Sequence, residues 1–347
     1  MLARLKMLMV FVKDSDRKNS IRIVLECLHF AIIKKSTPID YFRNFLYRKS
    51  ANNYLDYLSL KQYYSIIESE KMVFPEVSQI LKNKLSFKLM AEKQGLSMTN
   101  MFGYNLRNQF IINEKTVGIV NEEDLYNVLQ DLFTKNKIDK IFIKPMTGVG
   151  GSGCMLLNKN DLQTFVKTRF FDIMEHSYLF ENYIEQHPAI NGINASAINT
   201  LRIVHYINKK QTVHILSTLM RFGVGDSITD NTSCGGFSIA VNSLTGKLEG
   251  SGRQDLAKGG AVYLKHPDTY HQLEGFTIPY FKEACDLVLS AACIFPNRIV
   301  GWDIAITGSG PLIIEANHNP SLYLSDIAYG GLMKHPLIKE ILKEINS

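Results

Sequence analysis

The chain has 347 residues, 46% hydrophobic and 21% charged, a balance that fits a folded globular protein and excludes a disordered or fibrous one. Its formal net charge of +6 suits phosphate-bearing ligands or an anionic surface and is too slight for a dedicated nucleic-acid binder, so no nucleic-acid partner is expected. The five cysteines, Cys27, Cys154, Cys234, Cys285 and Cys293, form no C-x-x-C pair; they read as buried thiols of a reducing compartment, without a disulfide frame or zinc site.

Residues 1 to about 75 are rich in Lys, Arg and Tyr and contain no glycine. Apolar residues recur there at helical spacing in 21–30 and again in 41–47. The apolar run from Leu8 to Val12 is short and no small-residue cleavage site follows it, so a secretion signal is not expected. Nor does any run approach the roughly 20 apolar residues of a membrane span, and the expected location is cytoplasmic. After Pro75 the spacing predicts a helix from Ser78 to a glycine stop at Gly95. Another helix is expected from the cap Asn121, with Glu122, Glu123 and Asp124 in its first turn. Short apolar runs bounded by turns predict strands at Lys140–Lys144, Cys154–Leu157, Tyr178–Phe180, Leu201–Ile207 and Val213–Met220. Several look like consecutive antiparallel hairpins, which favours an α+β fold over a doubly wound parallel sheet.

All 23 glycines lie beyond Leu85, so phosphate-binding turns belong there too. The strand 141–144 delivers Lys144 to a turn containing Gly148, Gly150, Gly151, Ser152 and Gly153. Glycines let backbone N–H groups approach phosphate oxygens, and the lysine adds a fixed positive charge. The run matches G-x-G-x-x-G, but a dinucleotide fold needs a helix directly after the glycines, and 154–158 reads as a strand. No Gly-Lys-Ser/Thr closes it as a P-loop. A plain hairpin loop with spare glycines is the competing reading, and the phosphate turn is favoured over it.

In residues 299–320 two apolar strands flank Gly308-Ser309-Gly310, read as a three-residue hairpin loop. Pairing Thr307 with Pro311 sets Asp303 opposite Glu315, with Asn317 on the same face. Facing carboxylates repel unless a cation lies between them, and magnesium takes such oxygen ligands. The competing reading turns one carboxylate to solvent. It is disfavoured because Trp302, Ile304, Leu312 and Ile314 need the other face for the core. Arg202 and Arg221 sit on apolar strands, where an uncompensated charge is costly. Either they face an anionic ligand, or they form cross-strand salt bridges. Asn231 with Gly235 and Gly236 reads as a second phosphate or substrate turn or as an ordinary tight loop. His187 and His205 have no partner pattern and are assigned no role, while His318 reads as structural.

Lysine before a glycine loop, the strand and hinge from Tyr178 to Glu185, then Asp303, Glu315 and Asn317, resemble the ATP-grasp superfamily. The resemblance implies two α+β subdomains clamping ATP, with the glycine loop over the triphosphate and Lys144 in contact with it. Glu181, Asn182, Tyr183 and Ile184 match the hinge that holds the adenine edge by backbone groups, and Glu185 is nearest to the acid that holds the ribose. Asp303, Glu315 and Asn317 match the metal ligands, implying two magnesium ions. The other nucleotide lysine matches Lys84, although Asn83 stands where the family has aspartate; Lys88 is the alternative.

Within the superfamily the likeness is to the sugar-transfer-associated proteins of surface-polysaccharide loci. It is carried by 199–202, 231–236, His266-Pro-Asp, 275–279 and 301–306 with 315–317, and covers about Leu81 to Tyr323. The implied organisation is a helical region 1–75, a linking segment 76–135 with the first lysine, and an ATP-grasp domain 136–347 divided near 185. The implied reaction is ATP-driven amide formation between a carboxylate and an amine, the carboxylate being a uronic acid, its nucleotide-sugar form or an amino acid. Arg202 and Arg221 would act on the transferred group. Two rivals stay open: a kinase acting on a sugar hydroxyl, and a non-catalytic adaptor. In the latter the basic N-terminal region docks on a glycosyltransferase or at the inner membrane face.

Overall fold

The computed structural model describes residues 2–51, 53–148 and 150–347. The described chain divides into two compact units, one made of Lys82–Glu185 and the other of the residues through Leu81 together with Gln186–Ser347. Each carries an antiparallel sheet with helices, as the α+β expectation required.

In the unit Lys82–Glu185 the strands are β1 (Met101–Leu106), β2 (Gln109–Ile112), β3 (Lys115–Gly118), β4 (Lys140–Pro145), β5 (Met155–Asn158) and β6 (Tyr178–Asn182). They are ordered β3-β2-β1-β6-β4-β5. Helices Glu122–Asn136 and Leu162–Glu175 supply Leu125, Leu129, Phe133, Val166 and Ile173 to a core shared with Ile141, Ile143 and Phe180 of the sheet. The first of these helices starts as expected: Asn121 accepts from the Asp124 amide, and Asp124 reaches back in a capping box. The helix expected over 78–95 is two helices, Pro75–Lys82 and Lys84–Lys93. Asn83 breaks it, in an extended conformation, with its side chain accepting from the Ser86 amide at 2.9 Å.

The other unit holds β7 (Thr200–Ile207), β8 (Val213–Phe222), β9 (Phe237–Val241), β10 (Leu248–Gln254), β11 (Val262–Tyr263), β12 (Ile299–Thr307) and β13 (Gly310–Asn317). Their order is β11-β10-β9-β8-β7-β12-β13. Every residue of β7 and β12 is buried, which explains their near-continuous apolar runs. Helix Phe281–Ile294 lies against this sheet. Leu58, Ile66 and Met72 join Val204, Tyr206, Ile299, Ile338 and Ile341 in one core. A second cluster gathers Phe30, Tyr41, Tyr47 and Leu256. The N-terminal region, expected to stand apart, therefore shares its core with residues far along the chain. No disulfide joins the cysteines; Cys27 is buried, whereas Cys234 and Cys293 are exposed, contrary to the expectation that all would be interior. No helix among the described residues is long and apolar enough to cross a membrane.

Beneath the sheet, Trp302 Nε1 donates to His205 Nδ1 at 2.7 Å, and His205 Nε2 lies 3.0 Å from the Asn297 carbonyl. Complete burial pushes the His205 pKa from 6.5 down to about 4, so the ring is neutral. The folded value lies below the unfolded one, so this contribution is whole above pH 6.5 and is lost as pH falls from there towards 4. A shift of that size corresponds to roughly 3 kcal/mol. His205→Gln, which keeps an acceptor and a donor but cannot charge, is expected to flatten the melting temperature between those pH values relative to wild type. Parallel pH curves for the two proteins would refute the assignment.

Candidate active site

Glycines place the first group of residues. Gly148, Gly150, Gly151 and Gly153 all have φ between +73° and +110°, a region strained for any L side chain, so the tip between β4 and β5 needs them. A strand follows, since Ile143 pairs with Met155, and the dinucleotide-fold reading of the glycines is thereby excluded. At its base Lys144 points into a buried cluster. Its Nζ lies 2.7 Å from Glu181 Oε2, and Lys88 Nζ lies 3.2 Å from Glu181 Oε1. Lys88 also donates to the Thr99 hydroxyl at 2.9 Å and to its carbonyl.

All three charged side chains are almost wholly buried. Burial alone would raise the Glu181 pKa, but Lys144 and then Lys88 outweigh it and hold the carboxyl below its usual range. Burial pushes Lys88 down, against the pull of Glu181. Glu181 Oε1 has no well-formed hydrogen bond. Lys88 Nζ also lies 3.6 Å from Oε1 of the part-exposed Glu92, so the two lysines share two carboxylates, and only Glu181 lies buried between both. Lys84 reaches the glycine turn instead, donating to the Gly148 carbonyl at 2.7 Å. Beyond Asn182 the chain runs without regular structure through Tyr183, Ile184 and Glu185, and Lys140 lies over the Tyr183 ring at 4.7 Å.

The second group lies on the seven-stranded sheet. Arg202 on β7, Asp303 on β12 and Glu315 on β13 are successive cross-strand partners. The hairpin reaches this register by another route than expected. Thr307 pairs with Gly310, not Pro311, so the turn has two residues, and a bulge at Ile314 then restores Asp303 opposite Glu315. The bulge also changes the core face: Ile313 is buried, while Leu312 and Ile314 are only partly so. Asp303 Oδ2 is 3.1 Å from Arg202 Nη2 and 3.0 Å from Arg221 Nη2, and Arg202 Nε donates to Oδ1. Asn317 Nδ2 is 3.5 Å from the same Oδ2. Arg221 also meets Asp230 at 3.3 Å and the Thr200 hydroxyl at 2.9 Å. Burial would raise the Asp303 pKa, but Arg202 and Arg221 hold it below the carboxylate range. Asp230 goes the other way: burial raises it and Arg221 only partly restores it.

Asp303, Glu315 and Asn317 are an all-oxygen donor set suited to magnesium. No group of three His, Cys, Asp or Glu that could hold a metal occurs among the described residues. A family model for sugar-transfer associated ATP-grasp proteins matches residues 69–342. The chain belongs to this family. Its two-sheet α+β architecture is accordingly an ATP-grasp fold.

No curated protein matches the chain. Among solved structures, D-alanyl-alanine synthetase A from Vibrio cholerae is 12% identical over 79% of this chain and 68% of that one, with a TM-score of 0.47. The ATP-grasp ligase PsnB is 12% identical over 80% and 62%, at 0.45. Biotin carboxylase from Campylobacter jejuni is 11% identical over 78% and 47%, at 0.47. The chain thus spans roughly half to two thirds of these proteins, and no activity follows from the likeness.

Other motifs of this ATP-grasp chain make hydrogen bonds within the fold. The Asn231 carbonyl accepts from the Cys234 and Gly236 amides, and a Cβ on Gly236 would lie 2.5 Å from the Asp230 carbonyl. Asn199 and Gln186 bind one another and the neighbouring backbone, and His266 Nε2 sits 3.0 Å from the Gly223 carbonyl. His187 caps the short helix Pro188–Asn191. Sequence reasoning missed Asp230 and Thr200, although Asp230 directly precedes Asn231 in a segment already singled out.

Proposed function

We propose that this chain is an ATP- and magnesium-dependent carboxylate–amine ligase. The observation that supports it most is the row Arg202, Asp303, Glu315 with Arg221 and Asn317, where two arginines and Asp303 are buried beside the half-buried oxygen ligands Glu315 and Asn317. Lys144 and Lys88 would hold phosphate oxygens, with Lys88 favoured over Lys84 because it is buried beside Lys144 and Glu181. The glycine turn would cover the phosphates, the backbone of residues 181–184 would meet the adenine edge, and Glu185 would lie nearest the ribose. Magnesium, held by Asp303, Glu315 and Asn317, would supply charge neutralisation at the phosphates. A substrate carboxylate oxygen attacks the γ-phosphorus and ADP leaves, giving an acyl phosphate. An amine then attacks the carbonyl carbon, loses a proton, and expels inorganic phosphate. Such chemistry needs positioning and positive charge more than a protein nucleophile, and Arg202 and Arg221 would supply both to the transferred group. The family's link to sugar transfer favours a uronic acid or nucleotide-linked sugar acid joined to an amino acid in capsule or exopolysaccharide synthesis.

ATP and magnesium together are expected to raise the melting temperature more than either alone, because each favours the folded state through the other. Phosphate release should require a carboxylate and an amine together. Equal thermal shifts for ATP with and without magnesium would remove the metal assignment. Phosphate transferred to a sugar hydroxyl with no amine present would make the chain a kinase.

A further inference from the structure

Helix Ser20–Lys34 is apolar on both sides. Ile23, Cys27 and Phe30 face the core, as the helical period requires. Ile21, Val24, Leu25, Leu28 and Ile32 recur at the same three- and four-residue spacing on the opposite face and are 54 to 72% exposed. Helix Leu2–Lys13 repeats the pattern. Met7, Val10 and Phe11 pack inward, while Leu5, Leu8, Met9 and Val12 are 52 to 56% exposed. Single exposed apolar residues are ordinary, but two continuous helical stripes are not.

The charge around them is strongly positive. The first 50 residues hold eleven Lys and Arg against four Asp and Glu, a net +7 in a chain whose total is +6. Lys6 and Lys13 lie about a quarter-turn from the centre of the first stripe, and Arg22 lies similarly beside the second. All three are exposed, Arg22 with its Nε 2.6 Å from Glu26, and Lys35 is exposed just past the second helix. Lys6 and Lys13 also line a groove with Lys258, Asp16 and an Asp14 already bound to Arg48. Long basic side chains at the edge of an apolar stripe let the apolar face enter a lipid surface while the charges stay among the headgroups. A second copy of the chain would bring two equally positive faces together, which repel. We propose that these two helices dock the chain on the surface of an anionic bilayer, lying in the headgroup plane without crossing it. The inference is independent of the ligase reading.

Vesicle flotation of the full chain tests it. At about 0.1 M salt, binding to phosphatidylcholine vesicles containing about 30% phosphatidylglycerol should exceed binding to phosphatidylcholine alone roughly tenfold, and should weaken as salt rises. Leu25→Glu/Leu28→Glu and Lys6→Glu/Lys13→Glu should each reduce it at least about fivefold. Leu244→Glu, at an isolated loop residue 93% exposed, should not. All sites are exposed, so melting temperatures and ATP turnover should stay at the wild-type level in each variant. No preference for anionic vesicles, or equal binding by the stripe variants, would overturn the proposal. So would a dimer in sedimentation velocity that Leu25→Glu/Leu28→Glu dissolves, which would assign the stripes to a protein interface.

Discussion

Lys144→Met is expected to lower folding stability by about 3 kcal/mol and to abolish ATP turnover, two losses with separate causes. The stability loss follows from Glu181, which is buried with Lys144 at 2.7 Å and Lys88 at 3.2 Å. Removing Lys144 leaves a buried carboxylate with one imperfectly placed cation, and breaking such a pair costs more than the pair contributes. Lys88 remains, which places the loss near the low end of what an orphaned buried charge produces. Adding Glu181→Gln removes the orphaned charge and should recover most of the stability. It should not recover turnover, because the cation for the phosphate is still missing. Chemical denaturation and ADP release, measured on the single and double variants, separate the two roles. Recovery of turnover in the double variant would mean that Lys144 serves only to neutralise Glu181.

The second large effect is expected at Glu315. Glu315→Gln should reduce ADP release by at least about a hundredfold while leaving the protein without nucleotide as stable as wild type, or slightly more so. Asp303 is already neutralised by Arg202 and Arg221, so relief of its repulsion with Glu315 is worth at most a few tenths of a kcal/mol. The distinguishing readout is the melting-temperature shift with ATP and magnesium, which should largely disappear. A variant that is less stable without nucleotide, yet keeps its full shift and turnover, would show Glu315 to be a structural partner of the arginines instead of a metal ligand.

Much of this site was legible because its residues sit on regular strands. Period-two alternation and a hairpin turn were enough to set Asp303 opposite Glu315. The route was nevertheless wrong in detail, since a two-residue turn and a bulge at Ile314 offset one another. A bulge adds one residue without leaving any mark on composition, so the swap of Ile313 for Ile314 in the core could not be read in advance. The break at Asn83 was hidden for a similar reason: apolar spacing continues through it, and only the asparagine side chain turned back on the Ser86 amide ends the helix. Glu181 was placed by its backbone in a hinge, but its side chain holds two lysines, one of them 93 residues earlier in sequence. Long-range ion pairs of this kind carry no local signal. Asp230 and Thr200 escaped for the same reason, being joined to Arg221 only by the fold.

The pairing of Leu58, Ile66 and Met72 with Ile338 and Ile341 has a consequence for biogenesis. A ribosome adds roughly 5–20 residues per second, so the early helices wait tens of seconds before their partners emerge. The segment Lys82–Glu185 closes a core of its own and can be finished during that interval. Until helix Pro336–Ile345 is made, the apolar side chains of Leu58, Ile66 and Met72 lack part of their cover, which makes that interval the aggregation-prone stage of synthesis.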